Sequence, residues 1–125
     1  MRRAGASRMK VFREKFPPSL KPVEDSLVRC LEAFARVRKV HAVYLFGSHA
    51  RGDAGPGSDV DLCIVSDDAE RQFEAARAFR EAIWDVWPCP ALTLIPVTPE
   101  RLAEKRQSGD HFFRTVLGEG VLIAA

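Results

Sequence analysis

Gly47 and Ser48 stand ten residues ahead of an Asp-x-Asp pair, Asp59 and Asp61, and an apolar run flanks each end of this stretch. The run before it, Val40 to Phe46, and the run after it, Val60 to Val65, are rich in β-branched and aromatic residues, so both read as buried strands. Gly52, Gly55, Pro56 and Gly57 lie between them and require a loop. Gly47 lacks a Cβ, so a polyanion can approach its backbone, and Ser48 adds a hydroxyl where the chain enters a short helix over His49 to Gly52. A helix start offers unpaired N–H groups to phosphate. Asp59 and Asp61 are two apart on a strand over 59–66, so their side chains leave one face with origins about 7 Å apart. Carboxylates so close repel one another unless a cation sits between them. Together the features describe a phosphate cradle followed by a metal clamp. The plainer alternative is a turn followed by two solvated acids, and it fits either half alone better than it fits both in register. Asp67 and Asp68 serve as a contrast: adjacent acids do not share a strand face, and a helix N-cap explains them.

The remaining pattern alternates helix and strand. Val23, Leu27, Leu31 and Phe34 fall on one face of a helix over 23–38, with Ser19 or Pro22 near its start. Phe73, Ala76, Phe79 or Arg80, Ile83, Val86 and Trp87 recur at helical spacing and predict a second long helix that Pro88 and Pro90 end, its aromatics in the core. A third strand over 91–97 contains Pro96, which suits a sheet edge or a bulge. Thr98 caps a helix with Pro99 at its first position, and Asp110 opens another that Gly118 or Gly120 closes. Residues 121–124 give a short fourth strand. The fold class is α/β (α+β).

The Gly-Ser, ten residues, Asp-x-Asp arrangement resembles the signature of the DNA polymerase beta nucleotidyltransferase superfamily. The local form Gly47-Ser48-x-Ala50-Arg51-Gly52 with Ser58-Asp59-x-Asp61-Leu62 is similar to its minimal nucleotidyltransferases. The likeness is specific over 45–65 and weakens towards 97–102 and 112–122. It implies a polymerase-beta-like fold, with a mixed sheet of three or four strands covered by helices mainly on one face. It also implies transfer of a nucleoside monophosphate, with AMP expected, from a metal-bound nucleoside triphosphate, expected to be ATP, to a hydroxyl of a protein or other acceptor. Carried onto this chain, Asp59 and Asp61 would be catalytic and hold Mg2+ or Mn2+. Gly47, Ser48, Arg51 and Ser58 would bind the nucleotide, and His49 stands where the family often has arginine. The resemblance further suggests a helical, toxin-like partner protein and a homodimer.

One departure matters. Similar proteins carry a third carboxylate on the next core strand, about five residues before the Thr-Pro that opens the following helix; here that count gives Thr93. Threonine cannot act as an anionic ligand or a carboxylate base, and its presence should harm chemistry more than nucleotide binding. Glu81 and Asp85 are the nearest acids ahead of that strand, and Asp85 is the alternative third ligand. A degenerate module that binds nucleotide or a partner, like an antitoxin, is therefore the competing expectation.

At 125 residues with 46% hydrophobic content, the chain has a core but no room for a second substrate domain. Residues 1–21 hold seven basic residues and one acid, while the rest holds twelve basic and sixteen acidic. We expect a flexible basic arm over 1–21 ahead of a nucleotidyltransferase domain over 22–125. The arm is read as a solvated leader, with contact to the body or to nucleic acid as alternatives and nucleic acid ranked last. Its Arg-rich, acid-poor make-up is like that of a brief transit peptide, with Met9 as an alternative start. It lacks the apolar core of a secretory signal, no segment reads as membrane-spanning, and a cytoplasmic location is expected. Cys30, Cys63 and Cys89 are widely spaced and read as reduced, mostly buried thiols; with His41, His49 and His111 scattered, a zinc site is not expected.

Overall fold

Two β-rich runs joined by a glycine-rich loop of this length fold back on one another, and strands β1 (Val40–Phe46) and β2 (Val60–Ser66) pair antiparallel. Leu45 lies opposite Leu62 and Phe46 opposite Asp61. The computed structural model describes residues 9–67, 69 and 71–125. Strand β3 (Leu92–Val97) adds to β2 in parallel, and β4 (Val121–Ala124) pairs antiparallel with β1, giving the order β3-β2-β1-β4. Pro96, which cannot donate to a ladder, lies on an edge strand, as its position in the sequence requires.

Strand alternation divides the core in two. Val43, Leu45, Val60, Leu62, Ile64 and Leu94 face α1 (Glu24–Val37) and α3 (Gln72–Ala82), whose Leu27, Leu31, Phe34, Ala75 and Phe79 are buried against them. Phe34 and Phe79 meet edge to face at 5.2 Å between ring centroids, fixing the two helices together. On the other face Cys63, Val65 and Val97 pack with α4 (Pro99–Ser108) and α5 (His111–Glu119) through Leu102, Phe113 and Val116, so helices cover both faces of the sheet where mainly one was expected. Thr98 accepts from the Arg101 N–H at 3.0 Å and Asp110 from the Phe113 N–H at 3.1 Å, so both expected caps form. The four-residue helix α2 (Ser48–Arg51) follows β1 directly.

Three further expectations are corrected. Helix α3 ends at Ala82, well ahead of Pro88, and its buried stripe is Ala75, Phe79 and the following Ile83. Phe73 is instead exposed, because Ala75 and Phe79 define the stripe of α3 that meets the sheet, and Trp87 is exposed because the helix has already ended before it. Asp67 does not cap α3; Arg71 occupies that position, and Asp67 accepts from His41 Nε2 at 2.6 Å, while Asp68 lies outside the described residues. From Met9 onward the basic segment is packed. The Lys10 N–H donates to the Ala125 carbonyl at 2.7 Å and Phe12 to Ile123 at 2.8 Å, extending the sheet beyond β4. Leu20, in a 3-10 helix over Pro18–Val23, is fully buried. Arg13 bridges Glu24 and Asp25 at 2.9 and 2.8 Å, so its charge serves the start of α1. Residues 1–8 of the expected arm lie outside the described residues.

Candidate active site

Because β1 and β2 run antiparallel and β3 runs parallel to β2, the end of β1 and the beginnings of β2 and β3 share one edge of the sheet. Gly47 and Ser48 leave that edge from β1, Asp59 lies immediately ahead of β2 and Asp61 on it, and Thr93 enters it on β3. Asp61 lies on the same face of β2 as Cys63 and Val65, towards α4 and α5.

Gly47 has φ +78° and ψ −156°, a conformation open in practice only to glycine. A Cβ there would overlap Asp61 Oδ2 and lie 3.0 Å from its Cγ. The glycine is therefore required twice, by its own backbone and by the carboxylate beside it. Ser48 opens α2, and the Arg51 N–H donates back to the Gly47 carbonyl at 3.0 Å. The Arg51 guanidinium sits 3.2 Å from Asp53 and 3.8 Å from Glu119. These half-exposed pairs hold it weakly, and an incoming phosphate could exchange with them. Ser58 Oγ accepts from the Gly55 N–H at 3.0 Å and closes the turn that delivers Asp59.

Thr93 stands opposite Asp61 in the parallel ladder, and its hydroxyl donates to Asp59 Oδ2 at 3.2 Å. The residue expected in place of the third acid is thus at the two aspartates. Neither Glu81 nor Asp85 supplies a replacement: among the described residues no three His, Cys, Asp or Glu side chains gather as a metal cluster. Partial burial raises the Asp61 pKa above the usual carboxylate range, the Thr93 hydroxyl opposes this, and the negative charge of Asp59 adds to it. His49 and Arg51 exert smaller opposing attractions.

The donors at this edge are all hard oxygens, two carboxylates and a hydroxyl. They suit Mg2+ or Mn2+ completed by phosphate oxygens and water, since Mg2+ commonly takes only one or two protein carboxylates. Burial is the main cause of the raised Asp61 pKa and the charge of Asp59 a smaller one, and a cation between the two carboxylates would offset both by stabilising the ionised form.

Sequence reasoning missed the role of His49. It is buried, with Nδ1 2.8 Å from Ser19 Oγ and Nε2 3.4 Å from the Ser58 carbonyl. It ties the loop to the segment ahead of α1, and no signal in the local sequence distinguishes this use from a phosphate contact. Phe46, opposite Asp61, carries an aromatic contact that strand patterning does not announce: Phe112 meets it edge to face at 5.7 Å. The doublet Phe112-Phe113 was the available signal, since neighbours on a helix cannot both face the core, and Phe112 remains exposed.

The family model of the nucleotidyltransferase domain matches residues 27–117, from α1 into α5. The chain belongs to the nucleotidyltransferase domain family. It fits a minimal nucleotidyltransferase of the polymerase beta superfamily, and the mixed four-stranded sheet with its helices is consistent with that fold. No curated protein and no solved structure matches the chain. Membership in this nucleotidyltransferase family gives nucleotidyl transfer as the class of chemistry and a nucleoside triphosphate as the class of substrate. Among the described residues no helix is long and apolar enough to cross a membrane.

Proposed function

We propose that the chain binds a nucleoside triphosphate, ATP in the first instance, with one Mg2+ at Asp59 and Asp61, and transfers AMP to a hydroxyl of a protein or other acceptor. The observation that carries this reading is the seating of Gly47 against Asp61 Oδ2, which joins the phosphate loop to the paired carboxylates in one site. Asp59 and Asp61 would hold the cation, Gly47 and Ser48 would receive the triphosphate tail, and Arg51 would exchange its surface partners for a phosphate oxygen. The bound cation would neutralise charge on the phosphoryl oxygens. Ser58 shapes the approach of Asp59 through its bond to Gly55.

Thr93 offers no carboxylate to take the proton from an acceptor hydroxyl, so transfer by this chain would be slow or would draw a base from the acceptor. Incubation with α-labelled ATP, magnesium and a lysate of the source cell tests the proposal. Label on a macromolecule that disappears with Asp61→Asn supports transfer; cation-dependent ATP binding with no labelled product supports a binding module instead.

A specific observation favours that second reading, with a helical partner protein as the ligand. Phe73 and Trp84 are 91% and 90% exposed and, with Ala76, Arg77, Arg80 and Glu81, line a groove of about 480 Å³ along the outer side of α3 and the turn that follows it. Large exposed aromatics beside arginines are typical anchors of protein interfaces. In this reading a Phe73→Ala, Trp84→Ala double variant keeps its ATP affinity and loses the partner.

A further inference from the structure

Cys30 and Cys89 are 59 residues apart in the chain, yet the fold sets their sulfurs 3.8 Å from one another. Cys30 is fully buried on α1, while Cys89 is half-buried in the Pro88-Cys89-Pro90 segment between α3 and β3. That segment is held to α1 by a second link, the Arg29 guanidinium donating to the Trp87 carbonyl at 3.3 Å. Cys89 thus has access to solvent, and Cys30 has access to Cys89. Cys63 provides an internal contrast: it is buried in the other core cluster, on β2.

We propose that Cys30 and Cys89 form a redox modification site, in which a hydroperoxide converts the two thiols to an intramolecular disulfide. The Cys89 sulfur attacks the peroxide oxygen, the O–O bond breaks, and Cys89 becomes a sulfenic acid with release of water, or of an alcohol if the peroxide is organic. The Cys30 sulfur then attacks the Cys89 sulfur; the S–S bond forms, the S–O bond breaks, and the hydroxyl leaves as water with the Cys30 proton. Two thiols lose one electron each and the peroxide gains both. The sulfurs must close from 3.8 Å to about 2.05 Å, a movement within reach of side-chain rotation and a small shift of the exposed segment. Cys30 is fully buried and Cys89 is reached by solvent, so Cys89 meets the peroxide first; burial, together with the neighbouring Cys89, also raises the Cys30 pKa. The bond would fasten α1 to the chain that leads into β3 and Thr93.

The test treats the folded protein with graded hydrogen peroxide, alkylates remaining thiols after unfolding, and maps the peptides by mass spectrometry. The proposal expects a Cys30–Cys89 cross-link that dithiothreitol reverses, alkylated Cys63, and no cross-link in Cys89→Ser. Recovery of alkylated Cys30 beside Cys89 oxidised to sulfinic or sulfonic acid overturns it. So does a product linked between two chains through Cys89.

Discussion

Thr93 lies directly across from Asp61 in the β2–β3 ladder and its hydroxyl donates a hydrogen bond to Asp59, so a neutral side chain stands beside the two acids of the candidate site. Thr93→Asp places a third carboxylate there. Without cation it should lower Tm through added repulsion, and saturating Mn2+ should restore it. If Thr93 fills the position of the missing acid, the variant also gains transfer activity. Unchanged activity together with a Tm insensitive to Mn2+ contradicts this assignment.

The raised pKa of Asp61 sets the direction of a second prediction. The folded state takes up this proton more readily than the unfolded chain, so the ionised carboxylate subtracts from stability above its folded pKa. The penalty is relieved as pH falls through that value. Asp61→Asn should therefore raise the Tm of the cation-free protein at neutral pH, and the advantage should shrink towards acid pH. Thermal scans across that range check it; a lower Tm for the variant at neutral pH makes Asp61 a structural residue instead.

Gly47→Ala imposes a left-handed backbone on a side chain and drives its Cβ into Asp61. Strain of this kind costs about 1–3 kcal/mol before any overlap, and the displaced carboxylate should also lose cation-dependent ATP binding. Denaturant unfolding and ATP titration on one sample measure both. Gly52→Ala also has a positive φ, but no atom lies within 4 Å of its added Cβ. It should therefore destabilise the protein by the backbone cost alone and keep binding.

The geometry of the candidate site was legible because its parts are close in sequence and the antiparallel return of β2 along β1 leaves their placement little freedom. Thr93 could be placed because β3 runs from a fixed start to the Thr98 cap. The misreadings arose where several packings satisfy one pattern. Helical periodicity marks two apolar stripes on α3, and only the packed sheet decides that Phe79 goes in and Phe73 stays out. The composition of residues 9–21 suggests a solvated tail, yet one leucine, Leu20, and a few backbone bonds to Ile123 and Ala125 suffice to hold it. His49 and the Cys30–Cys89 contact join residues distant in the chain, and no local pattern announces either.

The choice of stripe on α3 has its own test. Phe79→Ala removes a fully buried ring that packs on Phe34 and should cost about 3–5 kcal/mol. Phe73→Ala, on the solvent side, should stay within about 0.5 kcal/mol of the parent protein. Equal losses in urea unfolding contradict the packing described.

Isothermal calorimetry of ATP binding, with and without Mg2+, bears most directly on the proposed site. Saturable binding should require the cation and weaken in Asp61→Asn by at least the roughly 10- to 100-fold that loss of an outer-shell metal partner causes. Binding that is equal with and without Mg2+, or that survives intact in Asp61→Asn, contradicts the assignment of Asp59 and Asp61 as the cation's ligands.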